Sequence, residues 1–255
     1  GISITGCQID EAEIIIPSEI KGYSVTRIEN YALSKGKATK IIIPDSVTYI
    51  GVSAFNSCAN LIDVNLSDSI TFIGSSAFYS CANLADITLP KNLTSIEEDT
   101  FYNCSSLTNI TLPEGLVYID MNVFHNTGLK EIVIPNGITT IEKQAFENFY
   151  NGPRNLTLVL HESVTSIGEY AFLSCKSLTS ITIPNNVTSI GGGTFSGCSS
   201  LTSISIPNSV ISIGERAFTN CYSLATVTLN SDAIVSNNYT LNSQICTIFG
   251  SQVKK

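Results

Sequence analysis

Phenylalanine recurs in this chain at a nearly constant interval. It stands at Phe55, Phe78, Phe101, Phe124, Phe146, Phe172, Phe195 and Phe218, in steps of 23, 23, 23, 22, 26, 23 and 23 residues. An isoleucine precedes each by five positions: Ile50, Ile73, Ile96, Ile119, Ile141, Ile167, Ile190 and Ile213. Ile28 and Leu33 form the same pair once more upstream, so nine coils carry the landmark. A period of this length marks a stacked-repeat architecture.

The unit reads L-x-x-I-x-L/I-P-x-x-V-x-x-I-G-x-x-A-F-x-x-C-x-x, as in LADITLPKNLTSIEEDTFYNCSS from Leu84 to Ser106. Ile87 and Leu89 alternate with polar residues, which predicts a short strand with one buried face. Pro90 ends it, because proline cannot donate to a ladder. Proline recurs there at Pro44, Pro113, Pro135, Pro184 and Pro207. A second extended piece, Leu93 to Ile96, leads into a tight turn and a helical or 3₁₀ turn that sends Phe inward. Gly51, Gly74, Gly168, Gly191 and Gly214 follow the repeat Ile, but Glu97, Asp120 and Glu142 take the same place elsewhere. Glutamate tolerates positive φ poorly, so this turn is expected not to require a left-handed residue.

One unit cannot bury its own apolar side chains, whereas stacked units share a continuous core. The 255 residues are therefore read as one elongated domain, 1–255. Residues 1–37 form an opening coil with an extra loop, and 38–223 the regular coils, with an insertion at 147–155. Residues 224–255 hold a final coil and the start of another.

The joined motifs L-x-x-I-x-L-P and V-x-x-I-G-x-x-A-F-x-x-C resemble the BspA-like, or treponemal-type, leucine-rich repeat. LTSITIPNNVTSIGGGTFSGCSS (178–200) and LTSISIPNSVISIGERAFTNCYS (201–223) carry the likeness most fully, and it spans essentially the whole chain. The sequence departs from the pattern between Phe146 and His161, where the Phe-to-Leu step holds four more residues than usual and the next step is one shorter. The resemblance implies a right-handed, horseshoe-like leucine-rich-repeat solenoid of strands and short β or 3₁₀ turns, with little regular α-helix. It also implies a secreted or cell-surface bacterial protein that adheres to host matrix or cell-surface proteins or to other microbial surfaces.

The chemistry-bearing residues are sparse. Six of eight cysteines stand three positions after the repeat Phe: Cys58, Cys81, Cys104, Cys175, Cys198 and Cys221. They form two runs of three, broken by Thr127 and Phe149, and three thiols cannot pair among themselves. No C-x₂₋₄-C pair suggests a metal. A buried ladder of free thiols is expected, since free cysteine packs as a small apolar group. Cys7 and Cys246 lie off the ladder. The two histidines differ in repeat position: His125 is expected on the solvated surface, and His161 replaces the repeat proline. No nucleophile, base and orienter converge, so no enzyme activity and no cofactor are expected. The acidic groups Asp10-Glu11-Glu13 and Glu97-Glu98-Asp99 read as solvated turns without a calcium-liganding pattern.

Net charge is −8 and no basic run exists beyond Lys254-Lys255, so no nucleic-acid partner is expected. No apolar run reaches the ~18 residues of a membrane span, so no membrane insertion is expected. No signal-peptide pattern opens the chain, which reads as a mature secreted product, a cytosolic protein or a trimmed piece.

Two candidate surfaces follow. Outward strand positions stack into stripes, and the first half of one is acidic: Asp63, Asp86, Asn109 and Glu131, beside Thr88 and Thr111. The second half is nearly all hydroxyl, which strand propensity alone also explains. The acidic residues matter if a basic partner binds. The other candidate is the insertion, which carries Phe149, Tyr150 and Arg154; insertions in repeats map to loops, often on a binding face. Three readings stay open: an adhesin, an architectural spacer holding another domain away from the envelope, and a glycan-binding module using Tyr79 and Tyr102.

Overall fold

The computed structural model describes residues 1–6, 11–148, 157–229, 234–235 and 247–249. Among them the backbone forms a β-solenoid of about nine turns of about 23 residues, without helix. The chain divides into two compact units, Gly1–Leu129 and Lys130–Lys255.

In the first unit each coil has three sides. The first is a short strand: Lys40–Ile42, Asp63–Asn65, Asp86–Thr88 and Asn109–Thr111. The repeat proline ends this side, and its carbonyl accepts the first turn bond, as from Val47 to Pro44 at 3.1 Å. The second side is a two-residue strand ending in the repeat Ile, such as Tyr49–Ile50 and Phe72–Ile73. Neighbouring repeat strands pair in parallel, Ile41 on Val64 and Ile50 on Ile73. The extra loop of the opening coil is a hairpin, Glu19–Ile20 antiparallel to Tyr23–Ser24, turned by Lys21 and Gly22 at φ 53° and 81°.

The third side carries Phe and holds successive turns, where a helical or 3₁₀ turn was expected. Each turn has the i→i+3 bond of a 3₁₀ helix, as from Ala54 to Gly51, Asn56 to Ser53 and Cys58 to Phe55. A residue with positive φ sits two before and two after each Phe, however: Ser53 and Ser57, Ser76 and Ser80, Asp99 and Asn103, Asn122 and Asn126. These left-handed residues flip alternate peptides out of the turn. The freed N–H groups of Ser53, Phe55 and Ser57 donate to the carbonyls of Ser75, Ala77 and Tyr79 in the next coil. Alternating local and forward bonds thus satisfy this side without a helix.

The second unit repeats the plan. Its strands include Glu131–Val133, Thr157–Val159, Ser203–Ile206 and Thr226–Leu229 on the first side. Thr140–Ile141, Ser166–Ile167, Ser189–Ile190 and Ser212–Ile213 form the second. Thr247–Phe249 pairs in parallel with Thr226–Thr228, so a strand does follow the last regular coil.

In both units the repeat Phe, Ile and Leu are buried in columns. The rings lie in offset stacks, Phe55 to Phe78 at 5.0 Å and Phe195 to Phe218 at 5.5 Å between centroids, an arrangement favoured by the ring quadrupole. The Gly after the repeat Ile has no positive φ at Gly51, Gly74, Gly168, Gly191 or Gly214, as its replacement by Glu97 predicts. Close approach of the preceding coil is what requires it. A Cβ on Gly74 would stand 2.6 Å from Val52 N, and one on Gly214 2.4 Å from Gly192 N. Ring spacing is 5.0 to 5.5 Å across Gly74, Gly168, Gly191 and Gly214, and 5.6 and 6.2 Å where Glu97 and Asp120 replace glycine. Gly74→Ala should therefore lower stability by about 1–3 kcal/mol through overpacking. Glu97→Ala, where a Cβ already has room, should stay within about 0.5 kcal/mol. Urea unfolding checks the pair, and equal midpoints would refute the account.

Candidate functional site

The acidic stripe lies on the first side of the first unit. Period-2 alternation turns Val64 and Ile87 inward, 5% and 4% exposed, and leaves Asp63, Asn65, Asp86 and Thr88 outside. Asn109 and Thr111 continue the two columns, and Asn109 Nδ2 donates to Asp86 Oδ1 at 2.6 Å. Asp63, Asp86 and Thr88 line a groove of about 320 Å³ with Lys40, Ile42, Asn65 and Leu66. The Lys40 ammonium lies 3.8 Å from Glu13 and 3.9 Å from Asp63. All three charged groups are well exposed, so such pairs contribute little to folding. Glu131 belongs to the second unit, where it is exposed and pairs in register with Thr157. Phe149, Tyr150 and Arg154 fall outside the described residues.

Two aromatic columns form surfaces as well. Tyr79, Tyr102 and His125, each one position after the repeat Phe, stack with centroids 4.9 and 4.2 Å apart and planes within 5°. His125 is thus partly buried against Tyr102 instead of solvated, since the stack continues through it. The stacked rings cover one another's faces and present mainly edges, whereas sugar stacking needs a free face. Nearby, burial raises the Asp99 carboxyl, opposed by a hydrogen bond from Asn122 and by His125.

The second column lies on the second side. Arg27 places its guanidinium 3.6 Å from the Tyr49 ring centre, and Tyr49 stacks on Phe72 at 5.0 Å. Arg27 also binds Glu29 at 3.2 Å. Sequence reading missed this group. Writing the residue before each repeat Ile as a column (Arg27, Tyr49, Phe72, Ser95, Tyr118) would have exposed it.

The thiol ladder is the most regular chemical feature. All six ladder cysteines are free and buried. Each Sγ–H donates to the carbonyl two positions after the preceding coil's repeat Ile plus three, that is, to its Phe or equivalent: Cys58 to Leu33, Cys81 to Phe55 and Cys104 to Phe78 in the first unit. Cys175, Cys198 and Cys221 do the same to Phe146, Phe172 and Phe195, at 3.0 to 3.2 Å. Thr127, which takes the cysteine's place in one coil, donates to Phe124 in its own turn. Burial pushes the Cys104 thiol up to about 12, and burial with Cys198 does the same to Cys221. These are structural thiols, the opposite of the depressed thiolate a nucleophile needs. Among the described residues no group of three His, Cys, Asp or Glu is placed to hold a metal ion, and no helix is long and apolar enough to cross a membrane.

The unfolded thiol ionises near pH 9 while Cys104 folded keeps its proton to about 12. The unfolded state therefore binds fewer protons between these values, and stability falls as pH rises through them. Cys104→Ala should lessen that alkaline slope in thermal unfolding. In addition, Ellman's reagent should leave the six ladder thiols unmodified in the native protein and reach them on unfolding. Rapid native reaction of any ladder thiol would contradict the assignment.

Residues 26–152 and 147–249 match the BspA type leucine-rich repeat region, with six copies of the repeat. Among solved structures, a leucine-rich repeat protein from Bacteroides ovatus is 28% identical with a TM-score of 0.53, over 89% of this chain and 70% of that one. The T. pallidum leucine-rich repeat protein is 23% identical with a TM-score of 0.53, over 84% and 78%. The pneumococcal vaccine antigen PcpA is 20% identical with a TM-score of 0.61, over 93% and 74%. The last two show the fold alone. A search of curated proteins found no match. The matched repeats span most of the chain, and their buried columns are those described above: the protein belongs to the BspA-type leucine-rich repeat family, whose fold implies a protein-binding repeat scaffold.

Proposed function

We propose that this chain is a non-catalytic adhesion scaffold, displayed at a bacterial surface or secreted, which binds proteins of host matrix, host cells or other microbes. The observation that carries the reading is the groove on the first side of the first unit. Charged and polar side chains from consecutive coils line it, held in register by parallel strand pairing. Such a face offers many weak, aligned contacts to an extended protein segment. Residues of the aromatic and arginine types that dominate binding energies lie on the second side, at Arg27, Tyr49 and Phe72.

Four outer positions of the later coils that carry only hydroxyls, Ser180, Thr182, Ser203 and Ser205, favour a second reading as a spacer. They offer neither charge nor aromatic area. The glycan reading receives less support, because Tyr79 and Tyr102 spend their faces on each other.

Solid-phase capture separates the first two. The immobilised chain is incubated with purified matrix proteins, mucins and bacterial cells. Saturable binding at micromolar concentration, abolished when the chain is unfolded, is expected. Absence of any partner across the panel would sink the adhesion reading in favour of the spacer.

A further inference from the structure

One column on the first side alternates in charge and then stops alternating. Through consecutive coils it reads Glu13, Lys40, Asp63, Asp86, Asn109. Register sets Glu13 beside Lys40, Lys40 beside Asp63, and Asp86 beside Asn109. Lys40 shows how the column holds a cation: its ammonium stands between two carboxylates, 3.8 Å from Glu13 and 3.9 Å from Asp63. One coil further, Asp63 and Asp86 follow each other with no lysine or arginine between them in the column. Ala85 N–H donates to the Ile62 carbonyl, so these two coils are stacked neighbours. Like charges on adjacent strands oppose pairing. The groove opens at this step, lined by Asp63, Asn65, Asp86 and Thr88 and by the strand at Val64 and Ile87.

We propose that the gap between Asp63 and Asp86 is the seat of a lysine or arginine side chain presented by an extended basic segment of a partner protein. The proposal rests on the protein-binding reading and names the chemistry of its partner. The inserted cation continues the order minus, plus, minus that Glu13, Lys40 and Asp63 begin. Its stem lies along the strand backbone at Val64 and Ile87, whose side chains turn inward. The Asn65 and Thr88 side chains face the backbone of the bound segment across the groove.

Fluorescence anisotropy of a labelled decapeptide of alternating lysine and threonine tests the seat on the whole chain at physiological salt. Asp63→Asn with Asp86→Asn should weaken binding roughly fivefold or more, as loss of two exposed charge contacts implies. Glu11→Gln with Glu114→Gln removes the same charge from exposed positions elsewhere, and should change affinity by less than about twofold. Lys40→Gln should tighten binding, because it opens a second gap of the same kind between Glu13 and Asp63. Circular dichroism checks that each variant folds.

Equal losses in the two double variants would mean attraction by net charge alone and would overturn the seat. So would no binding by the unaltered chain, or weaker binding by Lys40→Gln. The capture panel keeps the two readings apart. A partner retained by Asp63→Asn/Asp86→Asn defeats the seat and leaves protein binding standing. Aspartate-dependent peptide binding with no partner in the panel upholds the seat and defeats adhesion.

Discussion

Successive coils lie one hydrogen bond apart, about 4.8 Å for paired strands, and most of this structure follows from that spacing. A buried side chain meets its own counterpart above and below, so only shapes that stack on themselves can fill a column. Flat rings do so in offset pairs, and branched aliphatics fit the pleat of the short strands. The glycine after the repeat Ile is a limiting case: the coils approach too closely for a Cβ at Gly74. Where Glu97 and Asp120 stand instead, the Phe rings are 5.6 and 6.2 Å apart, against 5.0 to 5.5 Å across the glycine coils. The same spacing governs the surface, where charges, hydroxyls and rings also meet in files.

Much of this was legible in the sequence because one observation was made nine times. A single Ile at Ile96 suggests little; the same residue five before every repeat Phe fixes an inward direction. The thiol ladder was visible on the same ground, though its hydrogen bond to the preceding coil's carbonyl was not. The non-left-handed glycine turn was inferred from Glu97, but its cause, backbone of another coil, needed coordinates.

Other features were hidden because they depend on neighbours across coils or on peptide orientation. Ser53 and Ser57 carry no strong preference for positive φ, yet both adopt it; the stacking of adjacent coils outweighs their local preference. Tyr79 and Tyr102 were noticed as a pair, whereas His125 was assigned to solvent because its residue type suggested polarity and its column did not enter the reading. Arg27, Tyr49 and Phe72 were missed because they are polar or mixed positions in the consensus and stand out only when aligned in a file. The acidic stripe was read correctly as outward for Asp63 and Asp86, but the part played by Lys40 depends on distances.

The one-way bonding of the Phe side gives each unit an electrical sense. Peptides 52–53, 54–55 and 56–57 send their N–H groups forward, while the carbonyls of Val52, Ala54 and Asn56 accept from Tyr31, Leu33 and Lys35 behind them. Tyr170, Phe172 and Ser174 repeat the arrangement towards Gly192, Thr194 and Ser196 in the second unit. Each peptide contributes about 3.5 D, and here three rows add with one sign, whereas alternating strand peptides largely cancel. The Phe side of each unit therefore contributes a dipole along the stack, carbonyl pole towards the earlier coils, which N–H groups donating backwards elsewhere, such as Thr71 to Thr48 and Gly74 to Ile50, partly offset. The Phe side thus has a polarity along the stack that is built by turns, with no helix among the described residues.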